Sequence, residues 1–290
     1  MPLLVVTSEA SGAGKTGVAA AIARHYAYQG RPVALARLAD GSGNAVADAA
    51  FYAGLDFAPG SPEAPILHAN AVDPGPQSLL VVEACLEAAQ QLGGASVLVA
   101  RDVAPKQLPD GLSPIAVVVT DVHGVGTTRA ATIGTTLVVE VGEDEALAGF
   151  SVGEAQQALR AEVLVAGEAA DTTCDRLVIS PISSDAGQPH LRRFPSKAVV
   201  VRFDRTDMHL AALKSDPSCL ILTGGRRPSD YLFDAASAAG VPVLLSLADT
   251  ENTVIALEGI WDKTRFQGER KLDRMCELLE SSDLFHGLEM

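Results

Sequence analysis

Leu3-Leu4-Val5-Val6-Thr7-Ser8-Glu9-Ala10-Ser11-Gly12-Ala13-Gly14-Lys15-Thr16 opens the chain with an apolar run, a loop of small residues and Gly-Lys-Thr. Four apolar residues bounded by a turn predict a buried strand, Leu3–Thr7. The stretch Gly17–Gln29 carries Val18, Ile22 and Tyr26 on one helical face, with Gly30 placed to end the helix. Strand, glycine loop and helix in this order suit an anion. Glycines at 12 and 14 let backbone N–H groups turn inward, and the helix aims its positive end at the same point. Lys15 has the reach for terminal phosphates and Thr16 a hydroxyl for magnesium. The cofactor-binding set expected here is Ser11, Gly12, Ala13, Gly14, Lys15 and Thr16. Glu9 stands where the strict GxxxxGK[ST] pattern has its first glycine. A glycine-rich turn with an exposed lysine is the competing reading of the same residues.

The pattern continues outward as short apolar runs alternating with helical stretches, which predicts an α/β fold with parallel sheets. Strands are expected at Leu3–Thr7, Pro32–Arg37, Ser96–Ala100, Ile115–Thr120 and Thr136–Val141. Ser61–Pro76 reads as a proline-rich loop, and Asp121–Thr135 has no clear period. A second series follows. It has a helix at Val152–Leu159, strands at Arg176–Ser180, Lys197–Phe203, Cys219–Thr223 and Val241–Leu247, and helices at Thr206–Leu213, Pro228–Ala239 and Thr250–Trp261. Leu272, Met275, Cys276 and Leu279 form the apolar stripe of a last helix, expected to pack on its own domain. Two domains are expected, 1–147 and 148–290.

Composition narrows the partners. The chain has 290 residues and a formal net charge of -14. That balance lacks the basic footprint of a nucleic-acid binder and suits an anionic membrane surface poorly. No apolar run reaches the ~18 residues of a membrane helix, and the first residues carry no basic segment of a signal peptide. Cys85, Cys174, Cys219 and Cys276 are scattered, with no metal spacing, and read as free thiols of a cytoplasmic protein.

Ser8-x5-Gly14-Lys15-Thr16 after the first strand resembles dethiobiotin synthetase and the related N-terminal domain of long phosphotransacetylases. The resemblance implies ATP and Mg2+ as cofactors and a homo-oligomer. It implies a substrate-facing basic residue at the end of the second strand, here Arg37 in place of lysine-proline, and Arg37 joins the expected cofactor-binding set. It implies an aspartate assisting magnesium, here Asp48, so that the metal set is Thr16 and Asp48. The family's third strand ends in Glu-Gly. Taking Val97–Asp102 as that strand places Ala100 and Arg101 there, with Asp102 the nearest carboxylate. Slow or absent hydrolysis is expected on that ground, because phosphoryl transfer depends on electrostatic stabilisation of the moving group. Asp121 stands nearest the family's base-reading position.

The second half carries Asp204-Arg205-Thr206-Asp207, then Thr223-Gly224-Gly225-Arg226-Arg227, then Asp249-Thr250. This is similar to the DRTGG domain, which follows the dethiobiotin-synthetase-like domain in long phosphotransacetylases and accompanies regulatory modules. The fold expected is a P-loop parallel sheet with flanking helices and a second α/β domain of DRTGG type. No acetyl-transferring domain is expected. The leading expectation is an ATP-binding regulatory protein. The rival is an ATP-dependent carboxylate–amine ligase or carboxylase, and a scaffold that has lost nucleotide is the third. A second ligand site for a phosphorylated metabolite or nucleotide is expected at Asp204, Arg205, Asp207, Thr223, Gly224, Gly225, Arg226, Arg227, Asp249 and Thr250. Helix capping by the aspartates and a purely structural glycine bend are its alternative.

Overall fold

The computed structural model describes residues 3–40, 43–57, 66–67, 78–167, 172–180 and 189–288. The chain divides into two compact units, Met1–Asp144 with Lys271–Met290, and Glu145–Arg270. Both are α/β.

The first unit is built on β1 (Leu3–Thr7), α1 (Lys15–Tyr28), β2 (Val33–Leu38), α2 (Gly43–Ala53), β3 (Ile66–Leu67), β4 (Leu79–Glu83), α3 (Leu86–Leu92), β5 (Ala95–Arg101), β6 (Ala116–Val122), β7 (Thr128–Ile133) and β8 (Thr136–Gly142). Its eight strands lie in the order β3-β2-β4-β1-β5-β6-β8-β7. Every pairing is parallel except β7 with β8. Strands covered by helices on both faces read as unbroken apolar runs, and Leu4, Val5 and Val6 or Leu79 to Val82 are all buried. The stretch 121–135 supplies β7, an exposed antiparallel edge where a helix or strand period is not legible. Of the proline-rich stretch Ser61–Pro76 only Ile66–Leu67 falls among the described residues, and it pairs with β2.

The second unit comprises α4 (Glu145–Ala148), β9 (Phe150–Ser151), α5 (Val152–Leu159), β10 (Glu162–Val165), β11 (Thr173–Cys174), β12 (Arg176–Ile179), β13 (Lys197–Arg202), α6 (Thr206–Leu213), β14 (Cys219–Thr223), α7 (Asp230–Ala238), β15 (Val243–Leu245) and α8 (Thr250–Glu258). Its main sheet runs β10-β15-β14-β13-β12. Residue alternation sorts the core into two layers. Val199, Val201, Leu220 and Leu222 pack with Met208 of α6 and Leu232 of α7. Ala198, Val200, Cys219 and Ile221 pack with Ala155 of α5 and Leu257 of α8. Parallel β13, β14 and β15 bring their carboxyl ends to one edge.

The terminal helices α9 (Glu269–Glu280) and α10 (Leu284–Leu288) depart from expectation, because from Lys271 onward they cluster with the first unit. Asp273 pairs with Arg24 of α1 at 2.5 Å, and the Phe285 ring stacks on His25 at 3.6 Å. Leu272, Met275, Cys276 and Leu279 are buried as their spacing requires. An apolar stripe specifies that a face is covered and leaves open which unit covers it. No helix among the described residues is long and apolar enough to cross a membrane.

Candidate functional site

β1 lies between β4 and β5, so the loop Ser8–Thr16 rises from the middle of the sheet at its carboxyl edge. Gly12 and Gly14 take φ of 77° and 87°, conformations that an L side chain adopts only with strain. Gly14 has a second reason, since a Cβ there would stand 3.1 Å from Thr120 Cγ2. Glu9 is not among the positive-φ residues, so the first glycine of the strict motif has no conformational task here. The carbonyls of the loop are held from behind. Thr120 Oγ1 donates to Ala13 O at 3.0 Å, and an Arg101 N–H donates to Gly12 O at 3.4 Å. Lys15 Nζ reaches back across the loop and donates to Ser8 Oγ at 2.9 Å. The backbone N–H groups of Gly12 to Thr16 donate to nothing among the described residues, and Gly14 caps α1 without a side-chain hydrogen bond. Five adjacent N–H groups, a helix start and an ammonium therefore converge.

Beside the loop lies a buried ionic cluster. Parallel register sets Glu83 against Val6 on one side and Arg37 on the other. Glu83 is 2% exposed and Arg37 4%. Tyr52 of α2 donates its hydroxyl to Glu83 Oε2 at 2.7 Å and lies 3.3 Å from Thr16 O. Arg37 Nε stands 3.5 Å from Glu83 Oε1 and 3.5 Å from Asp48 Oδ2. Its other nitrogens donate to Asp40 at 2.6 Å and to Leu38 O at 2.9 Å. Burial raises the Glu83 carboxyl above its ordinary value, with the positive Arg37 and the Tyr52 hydrogen bond opposing.

Glu83 closes a strand that the sequence did not disclose. Two strands flank β1, β4 (Leu79–Glu83) and β5 (Ala95–Arg101), and the first of them was not expected from the sequence. A buried carboxylate, Glu83, stands at the end of β4. At the end of β5, Arg101 pairs with Asp121 at 2.6 Å while the Asp102 side chain is 70% exposed. Arg37 is ion-paired with Asp40, Asp48 and Glu83.

Magnesium takes oxygen ligands at about 2.0–2.1 Å in near-octahedral array. Both Glu83 oxygens are directed at Tyr52 or Arg37, and Asp48 Oδ2 faces the same Arg37 nitrogen. These carboxylates do not fit as direct ligands, and no group of three or more His, Cys, Asp or Glu among the described residues is arranged to hold a metal. Thr16, in the first turn of α1, is outside that conflict.

In the second unit the three motifs meet at the carboxyl edge of the sheet, with most of their polar groups engaged. Arg205 pairs with Asp207 at 3.0 Å, and Arg202 with Asp204 at 2.8 Å. Thr223 Oγ1 is 2.8 Å from Thr250 Oγ1, and Asp249 caps α8 by accepting from Asn252 N at 2.8 Å. Gly224 and Gly225 take φ of 95° and 64°, and their N–H groups donate to Ala248 O and Ser246 O. Arg226 lies over the Phe203 ring at 5.6 Å and Arg227 over Phe233 at 5.3 Å. The arginines thus have structural partners that the sequence did not disclose. A cavity of about 580 Å³ opens elsewhere in this unit, among Asp175, Arg176, His190, Phe194 and Trp261, and the motifs do not line it.

Residues 154–260 match the DRTGG domain. A solved structure of the CBS and DRTGG domains of the regulatory region of Clostridium perfringens pyrophosphatase, complexed with the activator diadenosine tetraphosphate, is 19% identical, with a TM-score of 0.33. The match covers 39% of this chain and 46% of that one, so the chain spans just under half of its length.

Proposed function

We propose that the chain is a cytoplasmic ATP-binding regulatory protein whose phosphate loop is Ser8–Thr16 and whose DRTGG domain couples the nucleotide state to a partner. The observation that carries the reading is the row of N–H groups from Gly12 to Thr16 that donate to nothing among the described residues, beside Lys15. Such a row at a helix start is a ready anion site. Thr16 is the ligand we assign to magnesium arriving on the phosphates.

Arg37 favours regulation over a ligase. In the resembling ligases the residue at the end of the second strand faces substrate, and here that side chain is buried among Asp40, Asp48 and Glu83. Turnover below about 1 per second, the low end for enzymes, is expected by phosphate release, and faster turnover would promote the ligase. A homo-oligomer is expected by light scattering, against the 30.0 kDa of one chain.

The direct test is calorimetry with Mg-ATP. Lys15→Ala should weaken binding at least tenfold, about 1.4 kcal/mol. Equal affinity of wild type and variant, or no binding at millimolar ATP, overturns the reading.

A further inference from the structure

The buried cluster beside the loop has a feature that nucleotide binding does not require. Two carboxylates from different elements, Asp48 of α2 and Glu83 of β4, converge on a single nitrogen, Arg37 Nε, each at 3.5 Å. Arg37 Nε is buried and makes no hydrogen bond. It is held between the two oxygens by the rest of its guanidinium, which donates to Leu38 O at 2.9 Å and to Asp40 Oδ2 at 2.6 Å. The side chain cannot swing out to water, since its fork is anchored at both ends and the residue is 4% exposed.

A cation bridging Asp48 and Glu83 would have to occupy the space where this nitrogen stands. Arginine keeps its proton at every physiological pH, so the position holds a permanent positive charge. The second oxygen of Glu83 is engaged by Tyr52, a fully buried phenol whose burial and neighbouring Glu83 keep it protonated and donating. Two like carboxylates brought together in a buried place need a positive partner. Here the chain supplies one.

We propose that Arg37 is a resident cation that takes the place of a protein-bound metal between Asp48 and Glu83, so that this site accepts a nucleotide polyphosphate with little dependence on divalent metal. The acidic pair then serves to fix Arg37 beside the phosphates and does not recruit magnesium. The proposal rests on the loop reading for its nucleotide part, while its metal part stands on the cluster alone.

Two measurements test it on the full chain. In the first, Mn2+ is titrated without nucleotide and free ion is followed by electron paramagnetic resonance. Wild type is expected to show no saturable site at submillimolar Mn2+, and Arg37→Met is expected to gain one. Thermal unfolding of Arg37→Met should rise on adding millimolar Mn2+ or Mg2+, as ligation of the native state requires, while wild type stays unchanged. Arg37→Lys, which keeps a positive charge, serves where the methionine variant does not fold, and should gain no metal-dependent rise. A saturable Mn2+ site in wild type overturns the proposal, as does an Arg37→Met protein that folds and binds no metal.

In the second, ATP affinity is measured with magnesium and with EDTA. A ratio within about threefold, under 0.7 kcal/mol, is expected for wild type, and a tenfold or greater loss in EDTA overturns the proposal. If Lys15→Ala leaves affinity unchanged, the loop reading fails instead, and the manganese titration still decides the role of Arg37.

Discussion

The two units each carry a glycine turn at the carboxyl edge of a parallel sheet, with basic residues beside it. Their backbones do opposite things. In the Ser8–Thr16 loop the helix begins at Lys15, directly after Gly14, and the N–H groups from Gly12 onward donate to nothing among the described residues. In Thr223–Arg227 the N–H groups of Gly224 and Gly225 close onto Ala248 O and Ser246 O at 2.8 and 3.0 Å, and the next helix does not begin until Asp230. Left-handed glycines next to arginine or lysine are therefore common to a candidate ligand loop and to a chain crossing. The distinguishing property is whether the backbone donors are already satisfied.

The largest effects should come from giving each turn a side chain. Gly14→Ala places a methyl 3.1 Å from Thr120 Cγ2 at a φ of 87°. We expect a loss of ATP affinity of tenfold or more, about 1.4 kcal/mol, with the second unit's unfolding unchanged. Gly224→Ala meets Phe203 Cδ1 at 2.9 Å at a φ of 95°. Left-handed strain and overpacking together should destabilise the second unit by roughly 2–4 kcal/mol and leave ATP affinity alone. Paired calorimetry and thermal unfolding check both. Loss of ATP binding in a folded Gly224→Ala protein would erase the distinction.

Much of this was readable from residues alone, for physical reasons that also mark the limits. The Gly-Lys-Thr loop, the strand before it and the helix after it depend on local chemistry, and the structure has β1 and α1 where the sequence placed them. So do β13, α6 and β14, whose apolar runs are bounded by charged or glycine turns. β4 escaped because Leu79-Leu80-Val81-Val82 passes into Glu83-Ala84-Cys85-Leu86 without a turn residue, and a short apolar run fits a strand or a buried helix equally. Glu83 escaped with it. Its signal was available, since an acid closing a four-residue apolar run is a buried charge that needs partners. The destination of α9 and the seating of Arg226 on Phe203 are contacts between distant residues, which no local pattern encodes.

Proton linkage separates the units further, with opposite signs. Burial raises the Glu83 carboxyl, so the native first unit holds its proton more tightly than the unfolded chain does. Its contribution to stability is full below about 4.5 and is lost as pH rises through the raised native value. His209 of α6 is the reverse case. Its Nε2 is 2.8 Å from Arg202 O, Nδ1 is buried without a partner, and burial lowers its pKa below 6.5. The neutral ring is favoured on folding, so the second unit loses stability as pH falls through 6.5 toward the lowered value. Each unit of pKa shift corresponds to about 1.4 kcal/mol. Thermal unfolding across this range should show Glu83→Gln flattening the first profile and His209→Asn the second. Both variants flattening the same transition would contradict the assignment of the groups to separate units.

The smallest effect concerns the arginines beside Gly224 and Gly225, and it bears on whether this turn is a ligand site at all. Arg226 lies over Phe203 and Arg227 over Phe233, at 5.6 and 5.3 Å from the ring centroids. Cation–π contacts of this kind contribute about 0.5–1 kcal/mol each at exposed sites. The double variant Arg226→Ala with Arg227→Ala should therefore lower the second unit's stability by roughly 1–2 kcal/mol, the sum of two such contacts. It should leave the full chain's calorimetric response to ATP, AMP and phosphorylated sugars as it is in wild type. A response at a second stoichiometric site that vanishes in the double variant would show that these side chains leave their rings for a phosphate. The turn would then be a ligand site opened by side-chain movement, unlike the loop at Gly12–Thr16, where backbone donors already converge.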